Sequence, residues 1–158
     1  MNKCLNPLCS GKGIFEEETG KNCPICTEKF NTSFYHVDGG GFNGNTSCIC
    51  VYDSETENYL YEEYSENLTN NEAEYKALIK CLKLSEENSI IESDSQLIVN
   101  QFNGKYKINH DHLKILCEKA RKINQRKNCV VRWIRREKNF AGKFIDNKKN
   151  GKRWYYGR

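Results

Sequence analysis

The sequence predicts a mixed α/β fold in which an antiparallel meander is continued by parallel strands reached through helices. Three observations predict it. Three short β-prone runs between 34 and 61 are joined by tight polar turns, helical and strand patterns alternate after 69, and acidic residues fall where those elements begin or end.

Phe34 to Val37 reads as the first strand, Gly39-Gly40-Gly41-Phe42-Asn43-Gly44-Asn45 as a turn, and Cys48 to Tyr52 as the second strand. Asp53-Ser54 opens another turn before Tyr59-Leu60-Tyr61, and connections this short make neighbouring strands antiparallel. Thr69, with Glu72 three residues later, forms a capping box; Tyr75, Leu78, Ile79 and Leu82 then recur at helical spacing, predicting a helix from about 70 to 84. Ile90-Ile91-Glu92-Ser93 is a short strand, and Gln96 to Phe102 a short helix stopped near Asn103-Gly104. Leu113, Leu116, Ala120 and Ile123 mark a longer basic helix, Val130 to Ile134 a last strand, and a final helix runs through Phe144-Ile145. A strand reached by a helical crossover normally lies parallel in the same sheet, so the Ile90 strand can dock beside the Phe34 strand with both carboxyl ends on one edge. Asp38 and Asp94 then meet, and Glu74, early in the crossing helix, can reach the same edge.

A chain of 158 residues suffices for one well-buried core and a small appendage. Boundaries are expected at 1–30, 31–147 and 148–158. Met1 to Ser10 has no apolar run and no stretch approaches the length of a membrane span, so a soluble, cytoplasmic protein without a membrane partner is expected. Charge is sharply divided: residues 31–104 carry 3 Lys/Arg against 13 Asp/Glu, and residues 105–158 carry 18 against 4. That division suits an enzyme that gathers cations on one surface and a polyanion on another, although solvated helix faces would also account for many of the isolated lysines.

Nine cysteines without a secretory leader argue against a disulfide framework. Cys4, Cys9, Cys23 and Cys26 form two close pairs that can close a tetrahedral thiolate site around one zinc ion. The segment resembles a zinc ribbon, with Gly11, Gly13 and Gly20 as turns around Ile14-Phe15. Four thiolates leave no open position, so the zinc would be structural. Cys48, Cys50, Cys81, Cys117 and Cys129 lie in apolar contexts and are expected in the core.

Phe34-Tyr35-His36-Val37-Asp38-Gly39-Gly40, Thr69-Asn70-Asn71-Glu72-Ala73-Glu74 and Ser93-Asp94-Ser95-Gln96, in this order on these elements, resemble the acidic motifs of type 1 ribonuclease H over about Phe34 to Asp146. The resemblance implies a ribonuclease H-like five-stranded mixed sheet flanked by helices, behind the zinc ribbon. It also implies an endonuclease that cleaves the RNA strand of RNA-DNA hybrids, with Asp38, Glu74 and Asp94 as ligands of two Mg2+ or Mn2+ ions. The last motif departs from the family. Asn139-Phe140-Ala141 runs on to Gly142 and Lys143 where most members carry a fourth carboxylate, and the loop histidine of many members is also lacking. Asp146, four residues after Gly142 and so near the same helix face, is expected to replace the missing acid; otherwise the centre keeps three carboxylates.

Two such ions about 3.5 to 4 Å apart serve the attacking water and the leaving 3′ oxygen. Gly39 and Gly40 would let the backbone approach a phosphate, and Asn43, Asn71 and Gln96 could read 2′-hydroxyls and base edges in a minor groove. Asn43 among glycines is also ordinary turn chemistry. Lys105, Lys107, Lys114, Lys119, Arg121 and Lys122, with the tail from Lys148 to Tyr156, could neutralise phosphates. The alternatives are a catalytically weak or inactive ribonuclease H-like nucleic-acid-binding protein, or a zinc-ribbon adaptor for a protein partner. A monomer is expected.

Overall fold

The computed structural model of the chain describes residues 33–149. The expected zinc module with Cys4, Cys9, Cys23 and Cys26, and the tail from 150, lie outside the described residues.

Strand β1 (Phe34–Gly40), β2 (Ser47–Asp53) and β3 (Asn58–Tyr64) form the expected meander. Helix α1 (Asn70–Leu84) crosses to β4 (Ile90–Ser93), and α2 (Gln96–Phe102) and α3 (Asp111–Lys127) lead to β5 (Val130–Trp133). A 3-10 turn over Arg136–Lys138 then opens α4 (Phe140–Lys149). The five strands are ordered β3-β2-β1-β4-β5. Pairs among the first three are antiparallel and the pairs β1 with β4 and β4 with β5 are parallel, as the crossovers require. Lys148 and Lys149, read from the sequence as tail, form the last turn of α4.

The glycine run departs from the sequence expectation. Gly39 and Gly40 stay in β1, paired with Ile49 and Cys48 of β2, and the turn begins only at Gly41. Alternation has made the difference. The side chain period of two places Tyr35 and Val37 in the core against α1, α2 and α3, and sends His36 and Asp38 to the opposite face, under α4.

The larger core joins Tyr35, Val37, Ile49 and Val51 of the meander with Tyr75, Leu78 and Leu82 of α1 and Leu113, Cys117 and Ala120 of α3. Fully burying one such aliphatic side chain contributes roughly 2 kcal/mol. The smaller core lies under α4, where Cys48, Cys50 and Tyr52 meet Ala141 and Ile145, with Phe140, Phe144, Tyr59 and Tyr61 packed around them. All five described cysteines are buried and unpaired by disulfides, as expected of small core residues. Among the described residues no helix is long and apolar enough to cross a membrane.

Helix α1 starts where the sequence places it because both halves of the capping box form. The Thr69 hydroxyl accepts from Glu72 N–H at 3.1 Å, and Glu72 accepts from Thr69 N–H at 2.8 Å. Thr69→Ala is expected to destabilise the domain by about 1 kcal/mol, and Thr69→Ser to be nearly neutral. The denaturant midpoints of the two variants check this.

Candidate metal centre

Register brings two of the acids together. Parallel pairing sets Val37 beside Ser93, so Asp38 and Asp94, the next residue along each chain, emerge side by side at the carboxyl edge. Glu74 arrives from the other side of the sheet because α1 packs unusually close to β1. A Cβ on Gly39 would lie 2.3 Å from the Ala73 carbonyl carbon and 2.6 Å from Glu74 N, an impossible contact that explains this glycine. One carboxylate oxygen from each of Asp38, Glu74 and Asp94 falls within 4.8 Å of the other two.

Such crowding is unfavourable for ionised groups. Asp38 is only 2% exposed. Burial, and then the Asp94 charge, push its carboxyl up to about 7, against the opposing pull of Arg136 and the Gly39 N–H. Glu74 is raised well above the usual carboxylate range by burial first and by Asp38 and Asp94 next. Its Oε1 is buried without a hydrogen-bond partner. A buried oxygen with nothing to accept from, beside two further carboxylates, fits a hard divalent cation such as Mg2+ or Mn2+.

Arg136 reaches this edge from the 3-10 turn. Its Nη1 lies 2.9 Å from Asp94 Oδ2 and 3.5 Å from Asp38 Oδ1, and its Nη2 lies 2.8 Å from Asp146 Oδ1. Asp146 therefore stands beside the centre but joins it through a guanidinium; its side chain is 48% exposed, against 7% for Asp94. Gly142 makes this possible. A Cβ there would come 3.1 Å from Asp94 Oδ2 and 3.3 Å from Arg136 Nη1.

The start of α4 is bolted to the same edge. Asn139, fully buried, donates from Nδ2 to Val37 O at 3.0 Å and to Asp94 Oδ2 at 2.9 Å, while its Oδ1 accepts from Gly142 N–H. Phe140 N–H donates to His36 Nδ1 at 3.0 Å, and His36 Nε2 pairs with Glu92 Oε1 at 2.9 Å. Arg132 Nε donates to the other Glu92 oxygen at 2.8 Å. Burial alone would raise Glu92, but these bonds from His36 and Arg132 outweigh it and hold the carboxyl low. Arg136, Asn139, His36 and Glu92 were not singled out by their chemistry in the sequence. The alternation His36-x-Asp38 is the signal that could have placed His36 on the face of the acids.

Other expected contacts scatter around the centre. Asn71 and Gln96 lie in the first turns of α1 and α2, Gln96 exposed. Asn43 is exposed, but its Oδ1 accepts from Asn45 and Thr46 N–H and so organises its own turn. Gly40 faces α4, with Cys48 Sγ and Lys149 where a side chain would go. Arg121 remains exposed, although its Nε and Nη2 donate to the Phe102 and Gln101 carbonyls.

Residues 49–143 match the model of the family described as reverse transcriptase-like. Among solved structures, LC11-RNase H1, from a compost metagenome and crystallised with an RNA/DNA hybrid, is 33% identical. That match covers 69% of this chain and 89% of that one, with a TM-score of 0.57. RNase H1 of the halophilic archaeon Halobacterium salinarum NRC-1 is 20% identical over 76% of this chain and 98% of its own, with a TM-score of 0.64, a likeness of fold. So is that of the N-terminal RNase H domain of rv2228c from Mycobacterium tuberculosis, 23% identical over 72% and 95%, with a TM-score of 0.58.

The raised carboxyls fix a pH dependence. An acid whose folded pKa lies above its unfolded value near 3.8 favours the folded state while protonated, so the contribution of Asp38 fades as pH rises from about 4 through about 7, and Glu74 acts in the same direction. In metal-free buffer, Asp38→Asn should therefore gain stability relative to the parent as pH rises across that window. Melting temperatures of the pair with chelator, and again with Mn2+, should show a gap that grows with pH and narrows on adding metal.

Proposed function

The chain belongs to the reverse transcriptase-like family, with the ribonuclease H fold, and from that premise we propose that it is an endonuclease hydrolysing the RNA strand of RNA-DNA hybrids by two-metal-ion catalysis. The convergence of Asp38, Glu74 and Asp94, with Glu74 Oε1 buried and unpartnered, carries the proposal. A hybrid as partner is supported by the LC11-RNase H1 complex, in which a relative holds one.

Asp38, Glu74 and Asp94 would hold two Mg2+ or Mn2+ ions, and Asp146 would complete the ligand set in place of the absent fourth acid. Divalent cations bound there would stabilise charge on the attacking water and on the departing 3′ oxygen. The protein's share is positional. Gly39 fixes the approach of Glu74, Asn139 Nδ2 orients Asp94, and the His36 and Glu92 bonds hold α4 over the edge. Asn71 and Gln96, with Asn43 at the β1–β2 turn, would meet the minor groove of the hybrid, and Gly39 and Gly40 its backbone. Cys4, Cys9, Cys23 and Cys26 would hold one structural zinc ion in a module preceding the catalytic domain.

Three substrates compared side by side, an RNA-DNA hybrid, RNA duplex and DNA duplex, should give Mg2+- or Mn2+-dependent cleavage of the hybrid's RNA strand alone. Asp38→Asn should lower the rate by roughly a hundredfold or more, and Asp146→Asn by a similar order if that side chain serves the centre. Salt-sensitive hybrid binding without cleavage under either metal would instead establish the binder. Elemental analysis should find about one zinc per chain, lost in Cys23→Ser.

A further inference from the structure

We propose that Arg136 is a resident counter-cation that competes with divalent ions for the oxygens of Asp38, Asp94 and Asp146, so that loading the centre requires its displacement. This rests on the metal-centre reading above and concerns how that centre fills.

Two independent features of the chain support it. The guanidinium fork is fully engaged toward acids, Nη1 against Asp94 and Asp38 and Nη2 against Asp146, while Glu74 Oε1 stays without a hydrogen-bond partner. Arg136 thus neutralises one flank of the cluster and leaves the other for an incoming cation. The second feature is the slot. Gly142 presents no side chain where a Cβ would crowd both Asp94 Oδ2 and Arg136 Nη1, so the helix that lacks the family's usual acid also makes room for a cation. Asp94 cannot give the same oxygen fully to a guanidinium and to a metal ion, because both are drawn to the same lone pairs.

Displacement is physically available. The Arg136 side chain is 49% exposed, and its long stem can carry the charge into water without disturbing the core. Its pair with Asp146 is half-exposed and weak, so the contacts with the buried Asp94 and Asp38 are the ones a metal ion must outcompete. Asn139 and the parallel register hold Asp94 and Asp38 in place independently, so the acids should keep their positions when the guanidinium leaves.

The test is a Mn2+ titration of the substrate-free protein, followed by calorimetry or by the resonance signal of unbound Mn2+. Arg136→Gln should bind Mn2+ at least about fivefold tighter than the parent, with a lower melting temperature in chelator that Mn2+ restores. Arg136→Lys, which keeps the charge but loses the fork, should fall between them and serves if the glutamine variant does not fold without metal. Arg135→Gln, removing an exposed neighbouring charge, should leave the affinity unchanged. Equal or weaker Mn2+ binding by Arg136→Gln would overturn the proposal, since it would make Arg136 a support for the ligands and not their competitor. Absence of Mn2+ binding in parent and variants alike would remove the metal-centre reading as well.

Discussion

Crowding of negative charge at one sheet edge is the constraint on which the rest of the structure depends. Asp38, Glu74 and Asp94 are held closer than ionised carboxylates prefer, and two of them are buried deeply enough that their protons are retained far above the usual range. No local interaction could enforce this arrangement. It is imposed by the sheet, whose register brings Asp38 beside Asp94, and by α1, whose backbone meets Gly39 too closely for any other residue. The apolar core on the α1 side provides the stability that offsets the strain, since burial of Tyr75, Leu78, Leu82 and Ile91 is independent of the charges above it.

The opposite face serves a different purpose, to keep α4 in register with the acids. Phe140 N–H donates to His36 Nδ1, which fixes the proton of that ring on Nε2, facing Glu92. Arg132 holds Glu92 in turn, so a chain of polar contacts runs from β5 through β4 and β1 to the first residue of the helix. Tyr52 edge-on to Phe140 and Phe144 stacked on Tyr59 add apolar contact along the same helix. Orientation of Asn139 follows, and with it the bond to Asp94.

Elements with strong local chemistry were evident in the sequence. The capping box and the spacing of Tyr75, Leu78, Ile79 and Leu82 give α1 its bounds, and turn residues between short β-prone runs give the meander. The three acids were evident as well, because each sits at the end or start of such an element. The path of the glycine run was not. Gly39 and Gly40 look like turn residues, and only the distance to α1 reveals why small residues stand inside a strand. Arg121 illustrates the same limit, being one cation among many in a basic helix until the structure shows its Nε and Nη2 tied to the Phe102 and Gln101 carbonyls. Arg136 was equally hidden, since nothing in its neighbours announces that its guanidinium turns inward.

The loss of the fourth acid and the presence of Arg136 are best understood together. Asp146, one helical turn beyond Gly142, reaches the rim of the centre and not its interior, as its half-exposed side chain shows. A carboxylate at the rim attracts cations weakly because water screens it, whereas Asp38 beneath it is almost sealed from solvent. The guanidinium spans that difference in dielectric, with one nitrogen toward the buried acids and the other toward the exposed one. A single guanidinium cannot neutralise Asp38, Glu74, Asp94 and Asp146 together, so the edge retains an excess of negative charge even with Arg136 seated. Glu74 Oε1, without a partner, offers a divalent cation an oxygen on the flank that the guanidinium leaves open, and a cation bound there would lower the raised Glu74 carboxyl and take the place of its proton.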